Sequence, residues 1–383
     1  MIKQSYPNRI KKIVIISYAT YPGTAPRNMR TNELAKEFAR QGYDVTLYVL
    51  TGSYDYESYE KDTGVKIRSL GKTYFFTYHP ETGKKLNIFM RISYKLIGRF
   101  FEFPNVELIR NTYKAIKKQS NIDLLITVAV PYPLHWGAAL LRSLNEEKLK
   151  STIWVADCGD PYMGNDFSKK FFYFEYIEKW FCRKADFISI PIENAREGYY
   201  PEFAKKIRVI PQGFNFDKAI KSQEYKKNAV PTFIYAGVFY EKLRDPRPFL
   251  DYLATLKQDF KFIVYTKSPA LLGDYKDKLG NKLQIHSYIP RDELILEMSK
   301  AEFLVNLENP STKQSPSKLI DYALSGRPIL SLNTNIDIDT TLIQQFLNEN
   351  YEQAFKLNDI EQYNIKNVVK SFLNLANESE RFI

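Results

Sequence analysis

At 383 residues the chain is too long for one ordinary domain and suits two, each able to bury its own core. Hydrophobic residues make up 44% and charged residues 26%, which excludes a disordered chain, and the apolar runs at 13–16 and 124–130 fall far short of the ~18 residues that span a bilayer. The net charge of +11 is lopsided: residues 1–200 hold 30 Lys and Arg against 21 Asp and Glu, the remainder 25 against 23.

In chain order, the basic amino terminus precedes a short apolar run without a small-residue cleavage site, so 13–17 reads as a first strand and not as a signal peptide. An amphipathic helix is expected over 29–40, closed by Gly42, then a strand over 44–50. The loop between the first strand and this helix, Tyr18 to Arg30, lies at the edge where open α/β sheets take ligands, and it lacks G-x-G-x-x-G, which counts against a dinucleotide oxidoreductase. From Leu86 to Phe101 apolar residues recur at helical spacing beside a stripe of Arg91, Lys95 and Arg99. Residues 84–118 carry nine basic side chains against Glu102 and Glu107. A basic amphipathic helix suits an anionic membrane surface, and equally a core helix with a solvated edge; the aromatics lie on the apolar face and no nucleic-acid motif accompanies them, so no nucleic-acid partner is expected.

Further strands are expected at 124–128, 153–156 and 187–191, and a second alternating series at 233–237, 262–265, 283–286, 303–307 and 329–332. Alternation of strand and helix throughout predicts an α/β protein with parallel sheets. Arg208 to Asp217, followed by a polar stretch, reads as a junction, giving a first domain over 1–205, a second over 206–358, and a terminal segment over 359–383 with a helix over 360–377. Cys158 and Cys182 show no metal or redox spacing, so a reducing cytoplasm is expected, and His79, His135 and His286 are too scattered to suggest a metal site.

The segment Ser315-Pro316-Ser317-Lys318-Leu319-Ile320-Asp321-Tyr322 carries the most chemistry. Pro316 suits the first position of a helix and Ser315 can cap it; Lys318 adds a charge to the free amides and dipole, and Asp321, a turn on, can accept from a sugar hydroxyl. It reads either as an ordinary capped helix or as one facing a diphosphate with ribose beside it. Gly326 ends the helix. Earlier, Gly237 after a strand lets backbone approach a ligand, and Lys242 or Arg244 can reach a leaving diphosphate, Arg244 the better through its planar fork.

The order Pro316, Lys318, Asp321, Tyr322, Gly326, Pro328 resembles the C-terminal domain of GT-B glycosyltransferases of the family 4-like group. Asp321 stands where the family has Glu, and Lys313 where many members have a second acid. Pro211, Gly213 and Asp217 resemble the family's interdomain segment. The resemblance implies two Rossmann-like domains facing a central cleft, with the last helix returning to the first domain. It also implies transfer of a hexose-type sugar from a nucleotide-diphosphate donor to a saccharide or lipid-linked acceptor, with retention and without a metal or other cofactor, in cell-surface polysaccharide or glycolipid synthesis. Such an enzyme would be cytoplasmic, and peripheral on the membrane if residues 84–118 dock there. The resemblance further implies that Gly23, Arg27 and Arg30 border the donor phosphates and the acceptor, that Lys267 and Ile289 lie on loops enclosing the base, and that Ser317 and Leu319 belong to the donor-binding set; Glu308, Asn309 and Ser311, just before the helix, are placed to line a sugar pocket. His135 and Asp160, in segments resembling an Asp-x-x-Asp-Pro-aromatic subgroup, flank the acceptor and are the base candidates if the reaction inverts. The competing classes are a nucleotide-sugar epimerase and a non-catalytic membrane- or polyanion-binding protein on the same scaffold.

Overall fold

The computed structural model describes residues 10–18, 20–23, 25–74, 96–165, 169–217, 225–241, 244–308, 318–334 and 336–379. The chain divides into two units, residues 1–214 with 364–383, and residues 215–363. Among the described residues no helix is long and apolar enough to cross a membrane.

The first unit is built on a seven-stranded parallel sheet in the order β3-β2-β1-β4-β5-β6-β7, from β1 (Lys12–Ser17), β2 (Asp44–Val49), β3 (Lys66–Ser69), β4 (Leu124–Val128), β5 (Ile153–Asp157), β6 (Phe187–Ile190) and β7 (Ile207–Val209). Its strands are apolar runs because both faces are covered. Val14 and Ile16 enter one buried cluster, Ile13 and Ile15 the other. The helix after β1, Pro26–Arg40, begins earlier than its apolar spacing suggests, because Pro26 takes the first-turn position where a missing N–H costs nothing.

Two strands depart from the sequence reading. β3 and β7 are edge strands of four and three residues, too short to show an alternation. β7 pairs in parallel with β6, so residues 207–209 belong to the first sheet and the boundary falls at 214/215, beyond the expected 205/206. The chain returns at Asn364: Ile365 N–H donates to Phe214 O at 2.9 Å, and the helix Ile365–Ser379 lays Ile365, Val368, Val369, Phe372 and Leu375 in the same cluster as Leu34 and Phe38.

The second unit is a five-stranded parallel sheet in the order β10-β9-β8-β11-β12, from β8 (Thr232–Ala236), β9 (Lys261–Tyr265), β10 (Leu283–His286), β11 (Phe303–Leu307) and β12 (Ile329–Leu332). An aromatic stack fills its core, Phe233 lying 4.7 Å from Phe303 and 5.0 Å from Phe262 between ring centres. In each sheet the strand order reverses beside the first strand, between β1 and β4 and between β8 and β11. Such reversals leave a crevice beyond the carboxyl ends of the strands, which is where open α/β sheets hold ligands.

Candidate functional site

In the second unit that position is furnished by the loop after β8 and by the helix Lys318–Ser325 after β11. Gly237 has φ +148°, a conformation that side-chain-bearing residues rarely adopt, and its N–H donates to Tyr265 O at 3.0 Å, so the loop leaves the sheet with its backbone open to a ligand. Tyr240 and Arg244 then exchange backbone bonds at 2.8 and 3.3 Å, and the Arg244 guanidinium lies 5.0 Å above the Tyr240 ring. Arg244 Nε is buried and finds no acceptor among the described residues.

Lys318 reaches the same place. Its Nζ is 4.8 Å from the centre of the Tyr235 ring and has one long bond, 3.4 Å, to Leu307 O. No carboxylate pairs with Lys318 or Arg244 among the described residues. Burial and, after it, the positive charge of Arg244 depress the Lys318 ammonium to a pKa of about 7. Tyr322, one turn on, is fully buried; its hydroxyl accepts from Ala236 N–H at 2.8 Å and lies 3.0 Å from Val305 O, which locks this helix to β8 and β11. Gly326 follows the helix at φ +73°.

Asp321 is not a bare carboxylate. Arg291, at the start of the helix Arg291–Ser299, holds its Oδ1 through Nε at 2.7 Å and Nη2 at 2.6 Å. Burial raises the Asp321 pKa, and Arg291 opposes that rise. The carboxylate is therefore oriented and partly neutralised. No local pattern pairs Arg291 with Asp321, because the two residues are thirty positions apart. Lys267 lies 4.3 Å over the Tyr288 ring and Tyr265 stacks on His286 at 5.2 Å, so the two loops beyond β9 and β10 present rings as well as backbone. Ile289 is half-buried, whereas Leu319 is turned into the protein. Glu308 accepts from Ser331 Oγ at 2.9 Å. Lys242, Asn309, Ser311, Lys313, Ser315, Pro316 and Ser317 lie outside the described residues.

The first unit spends its charges differently. Arg30, expected on the acceptor side, is fully buried: Nε and Nη2 each lie 2.6 Å from Asp157, and Nη1 and Nη2 donate to Pro211 O and Ile210 O at 2.7 and 3.1 Å. Each guanidinium nitrogen is bonded internally, so Arg30 is a strut between β5 and the segment leaving β7, not a ligand. Burial alone would push the Asp157 carboxyl up, but Arg30, then Arg27 and the 2.6 Å bond from Ser189 Oγ, hold it below the usual range. Arg27 stays partly exposed, 3.6 Å from Asp157, with its guanidinium against Gly159, where a Cβ would collide at 1.8 Å. Gly23 closes a turn through its N–H to Thr20 O at 2.9 Å.

His135 is likewise corrected. It is wholly buried, with Nδ1 2.7 Å from Thr127 Oγ1 and Nε2 3.5 Å from Cys158 Sγ, and burial drives its pKa down to about 3. A ring closed off on both nitrogens cannot serve as an acceptor base. Asp160 is exposed on the loop after β5, and its carboxylate has no partner among the described residues, while its backbone oxygen accepts from Tyr132. That loop is anchored by Glu178, buried in the helix Phe174–Lys184, which accepts from the N–H groups of Tyr162 and Met163 at 3.3 Å and from Tyr200 at 3.1 Å. Burial lifts the Glu178 pKa to about 7 against those hydrogen bonds.

No protein-family model matches the sequence, and neither does any curated protein. Solved structures match along nearly the whole chain. A glycosyltransferase from Rickettsia africae aligns with TM-score 0.63 at 12% identity over 96% of this chain and 98% of its own. Anabaena HepE in complex with UDP and glucose aligns with TM-score 0.55 at 8% identity over 97% and 99%, and an S. aureus TarM mutant in complex with UDP and a glycerol-linked GlcNAc with 0.55 at 12% over 96% and 100%. The chain has the GT-B fold. At these identities the likeness speaks for architecture, two parallel Rossmann-like sheets, and in that GT-B frame Lys318 and Arg244 stand at the switch point of the second.

Proposed function

We propose that this protein is a glycosyltransferase whose second unit holds a nucleotide-diphosphate sugar. The observation that carries the reading is the pair Arg244 and Lys318, two cations brought together at a sheet's ligand-binding edge without a carboxylate to neutralise them among the described residues. Two uncompensated, partly desolvated cations are costly to a fold, and a diphosphate recovers that cost. The complexes of HepE and TarM with UDP support the same assignment.

In this reading Arg244 and Lys318 stabilise the diphosphate as the bond from the anomeric carbon to its terminal oxygen breaks, and Asp321, oriented by Arg291, accepts from the ribose. The acceptor oxygen bonds to the anomeric carbon and passes its proton to the departing phosphate, so retention needs no protein base. The positive charge of Arg244 and Lys318 takes the part that a divalent metal plays elsewhere. The donor sugar is a hexose, and the acceptor, a saccharide or lipid-linked saccharide of a surface polysaccharide or glycolipid, meets the first unit at Asp160 and Arg27.

Incubation with a panel of nucleotide sugars and saccharide acceptors, read as released nucleotide and as product, tests this. Lys318→Ala or Arg244→Ala lowers transfer by about 10²–10³-fold with the fold retained, and excess chelator leaves the rate unchanged. Wild-type turnover in both variants removes the assignment, loss of activity in chelator removes metal independence, and donor isomerised without transfer makes the protein an epimerase.

A further inference from the structure

The apolar surface left uncovered on the first unit has no role in that reaction. The helical turn at 96–101 presents Leu96, Phe100 and Phe101 to solvent, and beside it stand Phe172 and Tyr176, with exposures of 65% for Phe101, 75% for Phe172 and 71% for Tyr176. Large aromatic side chains this open are unusual, and here they are contiguous. Phe100 stacks on Phe171 at 4.4 Å, Tyr173 donates to Phe100 O, and the Arg99 guanidinium lies 5.4 Å over Phe171. Residues far apart in sequence thus form one ledge, fixed by aromatic stacking and not by chance exposure.

Basic side chains outnumber acidic ones in residues 96–118 and 169–179. The acids there are engaged: Glu102 is buried, at φ +51°, where it accepts from Tyr162 at 2.8 Å and pairs with Lys170, Glu107 accepts from Tyr74 N–H at 2.9 Å, and Glu175, half-exposed, pairs with Lys179 at 2.6 Å. The bases Arg99, Arg110 and Lys169 are exposed. Aromatic rings beside exposed cations, with Glu102 and Glu175 each neutralised by a lysine, are complementary to a layer that is apolar within and negative at its surface. A second copy of the chain is the poorer occupant, since it would set the same cations against one another in a protein of net charge +11.

We propose that this ledge docks the protein on a bilayer containing anionic lipids, with Phe101 and Phe172 entering the headgroup boundary and Arg99 meeting phosphate. The sequence reading placed a membrane contact on residues 84–118, of which 84–95, with Arg91 and Lys95, lie outside the described residues; the ledge joins 171–176 to 96–101, and it stands independently of the catalytic assignment.

Co-sedimentation of the full chain with phosphatidylcholine vesicles, with and without phosphatidylglycerol, tests the proposal without donor or acceptor. Binding is expected to the anionic vesicles, falling about fivefold in Arg99→Ser and roughly tenfold or more in the Phe101→Ser/Phe172→Ser double variant, with unchanged melting temperatures. Arg99→Ser alone decides if the double variant fails to fold. Equal binding to neutral and anionic vesicles, no binding to either, or wild-type binding by the variants overturns it. So does a dimer in sedimentation equilibrium that the double variant dissolves, which assigns the ledge to a second copy.

Discussion

Arg30 and Arg244 each follow the first strand of a parallel sheet, yet their surroundings are opposite. Arg30 is enclosed, and Asp157 and two backbone oxygens satisfy its guanidinium. Arg244 shares its surroundings with Lys318, stacks on Tyr240 and keeps a buried Nε without an acceptor among the described residues. The stretch after the first strand is used for cohesion in one unit and holds unsatisfied charge in the other. Unsatisfied charge marks a binding site better than position does.

The contrast breaks most sharply in stability. Arg30→Ala strands the Asp157 carboxylate in the core and is expected to cost about 3–5 kcal/mol, whereas Lys318→Met removes a desolvated cation and is expected to raise Tm; thermal melts of the two variants check this, and equal losses would erase the distinction. The next effect is confined to the first unit. Glu178 has a folded pKa of about 7 against 4.5, so the folded state binds the extra proton and stability falls as pH rises across that interval, by up to about 3 kcal/mol. His135 works the other way: depressed from 6.5 to about 3, it takes stability away as pH falls below 6.5. The two partly offset one another between pH 4.5 and 6.5, so Glu178→Gln is expected to uncover a steady loss on acidification in denaturant titrations, and a flat variant profile would count against the His135 environment. The smallest effect sharpens the second unit. With Lys318 near pKa 7, binding of UDP draws a proton above that pH, and affinity measured by calorimetry is expected to fall by at most tenfold per pH unit above 7, with proton uptake dependent on the buffer. Lys318→Arg should flatten that dependence.

Local pattern was legible and distant pairing was not. Strands β4, β10, β11 and β12 stand at the boundaries expected from their apolar runs, while β3 and β7 were invisible because a short edge strand carries too few inward residues to show a period. Lys318, Arg244 and Gly237 were named because loop, glycine and cation are neighbours in sequence. Arg30 was misread because its partner lies 127 positions away, and no pattern in residues 18–30 announces it. His135 was misread for the related reason that burial is a property of the helix face, which a lone histidine does not report. Glu178 escaped notice altogether, since a glutamate in a helix is ordinarily a solvated one.

The return of the chain at Asn364 has a bearing on biosynthesis. Leu34 and Phe38 are made early, but the side chains that cover them, Val368 and Phe372, leave the ribosome only after the whole second unit has been translated. The first unit must wait with greasy surface bare while its neighbour folds, so a nascent chain halted near residue 363 would be a client for chaperones and a target for proteolysis, although every strand of both sheets had already been synthesised.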